Sequence, residues 1–136
     1  MTQVGPLPEL GELNHSFWTG GADGKLRFHR CQDCGHYLHP PRPRCPCCYG
    51  ERIEPEAISG EATVATFTIN HQPWLPDMEV PFVVAIVEFP EQEGLRLTTN
   101  VIDCALDDVH IGQRVEVVFE EHEDVWIPFF RPVEKK

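Results

Sequence analysis

No stretch of this chain reaches the roughly 18 uninterrupted apolar residues of a membrane span. The polar start MTQVGPLPELGEL also lacks the charged-then-apolar layout of a signal peptide, so a soluble, cytoplasmic protein with no membrane partner is expected. Positive charge is scarce as well: 11 basic residues face 22 acidic ones, for a formal net charge of −11. A surface that negative repels a phosphate backbone over most of its area, which argues against nucleic acid as a partner. Missing too are a Gly-rich phosphate loop, a nucleophile elbow and a His-Glu-x-x-His motif, and the scattered histidines form no recognisable catalytic set. No catalytic residue is assigned, and a binding or scaffolding role is expected.

What remains bounds the fold. At 136 residues the chain suffices for one domain, or a small module stapled to a modest one. A 41% hydrophobic content suits a globular protein, while 13 prolines and 10 glycines call for short elements and many turns. The charge is uneven. Between residues 25 and 52, Lys25, Arg27, Arg30, Arg42, Arg44 and Arg52 outweigh Asp33 and Glu51 by four, so the rest of the chain carries −15. Any anion contact is expected in that basic stretch.

The same stretch holds five of the six cysteines, in CQDCGHYLHPPRPRCPCC. A reducing compartment disfavours disulfides and makes clustered thiols metal ligands. Cys31 and Cys34, then Cys45 and Cys48, form two Cys-x2-Cys pairs with zinc-ribbon spacing. Each pair makes a tight turn with both sulfurs on one side, and two facing turns close a four-thiolate cage that leaves no open position for substrate. One structural zinc is expected there; rubredoxin-type iron uses similar ligands and stays open as the alternative. Cys47 would leave one residue between itself and Cys45 and is given no metal role. His29, His36 and His39 are read as loop residues, and Cys104 as a buried, inert thiol.

Before the ribbon, Leu10, Leu13, Phe17 and Trp18 roughly mark one face of a short helix, ended by Gly20 and Gly21. After it come five strands: GEATVATFTINHQP, VPFVVAIVEF, LRLTTNVI, RVEVVFEE and VWIPFFRPV. The second is almost continuously apolar and is expected to be buried on both faces. Pro128 in the fifth suggests an edge or bulge. Within the less regular DCALDDVHIG between the third and fourth, DDVHIG fits a short helix or turn, and EEHED is a solvated hairpin tip. The expected fold is mainly β: an N-terminal helical segment (1–26), a zinc ribbon (27–57) and a five-stranded Greek-key barrel of the OB type (58–136).

The order FW-x5-GKLRFHRCQDCG, PPRPRCPCC, SGEATVATFTINH, VPFVVAIVEF, HIGQRVEVVFEE and IPFFRP resembles, over residues 14 to 133, the zinc-ribbon plus OB-fold family known as domain of unknown function thirty-five. The resemblance implies a rubredoxin-like ribbon holding zinc through Cys31, Cys34, Cys45 and Cys48. It also implies partnership with acyl-CoA enzymes, either thiolase-like proteins or hotdog-fold enoyl-CoA hydratases. Within the family, the chain is most similar to the branch that supports a thiolase-like, lipid-transfer-protein-like aldolase acting on steroid side-chain CoA esters. It departs from the common pattern at Cys48-Tyr49-Gly50, where glycine usually follows the last cysteine at once. The expectation is a non-catalytic subunit of a hetero-oligomer, with Phe17 and Trp18 docking on the partner and Arg42 and Arg44 near a CoA phosphate. Two rivals remain: a stand-alone acyl-CoA binder, and a single-stranded nucleic-acid module of the ribbon-plus-OB kind.

Overall fold

The computed structural model describes residues 7–76 and 78–133. Its first third builds a three-stranded antiparallel sheet from β1 (Arg27–Cys31), β2 (Tyr37–Leu38) and β3 (Ile53–Ala57), in the order β2-β1-β3. The remaining strands, β4 (Glu61–Asn70), β5 (Phe82–Glu88), β6 (Arg96–Val101), β7 (Arg114–His122) and β8 (Val125–Pro132), close a barrel in the order β4-β5-β6-β8-β7. All pairings are antiparallel except β6 with β8, which meet in parallel at Val101 and Phe130. A 3-10 turn, Leu106–Asp108, falls between β6 and β7, and β7 and β8 form a hairpin with its tip at Glu123 and Asp124. Among the described residues no helix is long and apolar enough to cross a membrane.

Alternation explains the barrel. Along β5 the inward residues Val83, Ala85 and Val87 are buried, while the outward Phe82, Val84 and Ile86 are only half-buried. The continuous apolar run therefore does not mean full burial on both faces: the pleat turns every second side chain away from the barrel interior, where it is only partly covered. Pro128 is accommodated beside β6, where Thr99 Oγ1 donates to the Pro128 carbonyl at 3.1 Å. β4 bends at a bulge between Val64 and Thr66, which lets one strand pair with both β5 and β7.

The ribbon and barrel share a core. Phe28, on β1, stacks on Phe17 (5.9 Å) and meets Phe89 edge-on (5.2 Å), and Phe89 in turn meets Phe130 (6.0 Å). Gln92, in the turn after β5, fastens the two parts a second time. Its Oε1 accepts from the Tyr37 N–H at 2.8 Å and its Nε2 donates to the Tyr37 carbonyl at 3.0 Å, so one amide side chain pairs with β2 as a strand residue would.

The N-terminal helix is shorter than its apolar spacing suggests. α1 covers only His15–Thr19, and Leu13 lies outside it, 47% exposed. Asn14 sets the limit: its Oδ1 accepts from the Gly11 N–H (2.6 Å) and its Nδ2 donates to the Glu9 carbonyl (3.0 Å), holding residues 11–14 as a turn. Gly20 and Gly21 do not simply end the helix; they continue as a 3-10 turn, Gly20–Asp23. A Cβ on Gly21 would come within 2.5 Å of Trp126 Cβ and 2.8 Å of the Phe119 ring, so glycine lets this turn press onto the β7–β8 hairpin.

Candidate metal centre and surrounding surface

Two matching knuckles present the candidate ligands. In the first, Gly35 N–H donates to the Cys31 carbonyl (2.9 Å) and Cys31 N–H to the His36 carbonyl (2.8 Å). In the second, Tyr49 N–H donates to the Cys45 carbonyl (2.9 Å) and Cys45 N–H to the Gly50 carbonyl (3.0 Å). The position after the last cysteine is left-handed in both, at φ 83° for Gly35 and 62° for Tyr49. Asp33 and Arg52 tie the knuckle to β3, with Arg52 Nε donating to Asp33 Oδ1 at 2.8 Å.

The four sulfurs of Cys31, Cys34, Cys45 and Cys48 lie within 4.8 Å of one another, with close approaches of 3.6 Å (Cys31 to Cys48) and 3.5 Å (Cys34 to Cys45). A tetrahedral cage with bonds near 2.3 Å has edges of about 3.8 Å, so the donor set fits a structural metal. The thiols are already polarised. Cys31 is held below the ordinary thiol value, first by the Cys34 N–H. Cys45, despite burial, is drawn down to about 7 by the N–H groups of Cys48 and Cys47. At Cys34 the His36 N–H is outweighed by the Cys45 sulfur and burial, which push it up to about 12; at Cys48 the Gly50 N–H is likewise outweighed by Cys31, and the thiol is raised. A soft cation held by the four sulfurs would displace the thiol protons.

Cys47 stays out of the cluster, exposed, its N–H donating to Cys45 Sγ at 3.4 Å. None of the three nearby histidines joins it either. His29 is no loop residue, since it lies in β1 opposite Leu38; His39 does lie in the bend after β2, but its ring packs against Phe28 (4.6 Å) and Phe17 (5.0 Å), and burial, with the charge of His29, lowers its pKa to about 4. Cys104 is half-buried rather than buried, donating to the Ala105 carbonyl and accepting from Gln113.

The expected contact residues separate. Phe17 is 7% exposed and belongs to the core, whereas Trp18, edge-on to it at 4.8 Å, is only half-buried. Trp18 lines two cavities: one of about 510 Å³ with Leu75, Met78, Phe82, Leu106 and Phe129, and one of about 590 Å³ with His39, Pro41 and Arg96. Arg44 is bound to Glu51 (2.6 Å) and the Tyr49 carbonyl, while Arg42 is exposed and has no ion-pair partner among the described residues. Sequence reasoning passed over Gln92 and Trp74. A glutamine in a polar turn carries no signal, but a tryptophan in HQPWLPDMEV, flanked by two prolines, does.

Comparison with known proteins places both halves. Residues 18–54 match the rubredoxin-like zinc ribbon domain of ChsH2, and residues 55–120 its C-terminal OB-fold domain. A DUF35 domain-containing scaffold protein of Methanocaldococcus jannaschii is 36% identical over 114 residues, 77% of this chain and 79% of the relative. A probable enoyl-CoA hydratase alpha subunit of Thermomonospora curvata is 33% identical over 128 residues, 93% of this chain; the chain spans only 40% of that relative's length. Among solved structures, an Ltp2-ChsH2(DUF35) aldolase chain superposes with a TM-score of 0.82 at 32% identity, covering 93% of this chain and 98% of the other.

Proposed function

The chain belongs to the ChsH2/DUF35 family of zinc-ribbon and OB-fold proteins, and we propose that it serves as the non-catalytic subunit of a thiolase-like aldolase acting on acyl-CoA esters. Carbon–carbon cleavage takes place on the partner; this chain stabilises the partner and helps shape or cover its acyl-CoA site. The observation that carries this reading is the end-to-end likeness to the DUF35 chain of an aldolase assembly, across 98% of that chain. The cysteine cluster is consistent with it: Cys31, Cys34, Cys45 and Cys48 would hold a zinc with all four positions taken by sulfur, so the metal would order the ribbon and offer no reaction site. Steroid side-chain esters are the proposed substrates, in the cytoplasm, on the strength of the motif order that ties the chain to the aldolase branch. A single-stranded nucleic-acid role is disfavoured by the −15 charge outside residues 25–52, since OB-type binding of nucleic acid needs a basic groove.

The test is reconstitution. The chain expressed with a thiolase-like companion should form a stoichiometric complex that cleaves β-hydroxyacyl-CoA esters, and neither component alone should match it. Turnover by this chain by itself, or a companion fully active and stable without it, would sink the proposal.

A further inference from the structure

The 510 Å³ groove lies at the end of the barrel where the β4–β5 loop and the β6–β7 connection meet. Its floor is apolar, formed by Trp18, Met78, Phe82, Leu106 and Phe129. Leu75, 40% exposed, lines the groove, and the residue before it in the β4–β5 loop is Trp74, 71% exposed, two large apolar side chains that a solvent-facing loop has no reason to expose together. The indole Nε1–H donates to Asn70 Oδ1 at 3.1 Å, which ties the ring back to the end of β4.

Charge singles out this end of the molecule. Arg27, Arg30, Arg44, Arg52, Arg96 and Arg131 are each tied to a carboxylate. The connection beside the groove carries Asp103, Asp107 and Asp108, all exposed and none with an ion-pair partner among the described residues. No lysine or arginine occurs between Arg52 and Arg96, nor between Arg96 and Arg114, so neither bordering loop contains a cation. An apolar floor with exposed aromatic and aliphatic anchors and uncompensated negative charge beside it is complementary to one chemistry: an aliphatic or aromatic projection surrounded by lysine and arginine on a protein surface. A CoA ester presents phosphates to the same carboxylates and is repelled.

We infer that this barrel end, centred on Trp74 and Leu75 with Asp103, Asp107 and Asp108 beside it, is the surface that docks on the partner protein, and that the partner's matching patch is apolar with a basic border. The inference rests on the proposed function in taking the thiolase-like companion as that partner. It places the contact at the barrel end, in a groove that the ribbon's Arg42 and Arg44 do not line.

The experiment uses the full zinc-loaded chain and the purified thiolase-like companion, with affinity read by titration calorimetry at low and high salt. Trp74→Ala is expected to weaken binding about 10-fold or more, as loss of an interfacial tryptophan anchor does. The double variant Asp107→Lys, Asp108→Lys should weaken it about 10-fold at low salt, with the deficit shrinking as salt rises. Arg42→Glu should bind as the wild type does. All of these side chains are exposed, and unchanged zinc content and thermal midpoint verify folding. Hydrogen exchange on the wild-type complex supplies a second readout, with protection expected over residues 71–83 and 103–110. Wild-type affinity in the barrel-end variants, or protection confined to the ribbon, overturns the inference while leaving the proposed function intact. Self-association of the free chain that Trp74→Ala abolishes overturns it too, because the occupant is then a second copy. A wild-type chain that binds no thiolase-like protein overturns the proposed function and this inference with it.

Discussion

Tyr49 stands where a glycine belongs. The two knuckles repeat the same hydrogen bonds, and both turn through a left-handed residue, but the first has Gly35 there and the second carries a side chain at φ 62°. A left-handed L-residue costs roughly 1–2 kcal/mol. Its ring is largely exposed, so replacing it sacrifices little packing. Tyr49→Gly should therefore stabilise the loaded ribbon by about 1 kcal/mol after the flexibility of glycine is counted, read as a higher melting temperature and slower zinc transfer to a chelator. Faster transfer would contradict it. His39 makes a second residue-scale prediction. Its folded pKa of about 4 lies below the unfolded value near 6.5, so the folded state resists protonation and the unfolded state accepts it. The stability its neutral ring contributes is complete above pH 6.5 and is lost as pH falls toward 4, by about 2 kcal/mol at pH 5. His39→Phe keeps an aromatic against Phe17 and Phe28 and removes the titration. Urea unfolding of zinc-saturated protein at pH 7 and pH 5 should show a smaller drop for the variant, and parallel drops would refute the assignment.

At the scale of elements, the barrel was legible and the ribbon's sheet was not. The five barrel strands announce themselves through alternation and β-branched residues, and each appears within a few residues of its expected place. The cysteine spacing likewise picks out the four residues whose sulfurs come together, Cys31, Cys34, Cys45 and Cys48. In contrast β3, IEPEA, is acidic and contains a proline, so nothing in its composition marks a strand. It forms because β1 offers five partners from Arg27 to Cys31 and because Arg30 bridges to Glu56. The buried cluster beneath the knuckles is only Cys31, Leu38 and Cys45, with Ile53 against it, too little to hold them without a metal. Chelation should thus strip the knuckles selectively. The amides of Cys31, Gly35, Cys45 and Tyr49 should exchange roughly a hundredfold faster, while those of β5 change little, because β1 remains anchored through Phe28. Uniform loss of protection across the barrel would show that the metal holds the whole molecule.

For the molecule as a whole, the boundary drawn at residues 57 and 58 is a boundary of sequence pattern, not of packing. Phe17 and Leu26 come from the N-terminal segment and Phe28 from the ribbon, and all three are buried in one cluster with Val64, Val87, Phe89 and Phe130 of the barrel portion. The backbone crosses the same line, with Ile58 N–H donating to the Leu26 carbonyl at 2.9 Å. The sequence hides this because periodicity reports which face of a strand is apolar, not which other element covers it; Phe28, between two basic residues, reads as an isolated aromatic. The consequence is quantitative. A fragment of residues 58–136 exposes Phe89 and loses the burial of three large side chains, each worth about 1.5–3 kcal/mol. That sum is comparable to the entire stability of a small domain. The isolated fragment should give no cooperative thermal transition and should bind a hydrophobic dye, whereas the full chain stripped of metal should still melt cooperatively through its barrel. A fragment that melts sharply near the full chain's midpoint would show that helix and ribbon merely decorate an independent barrel, and the docking surface would then have to be carried by that barrel alone.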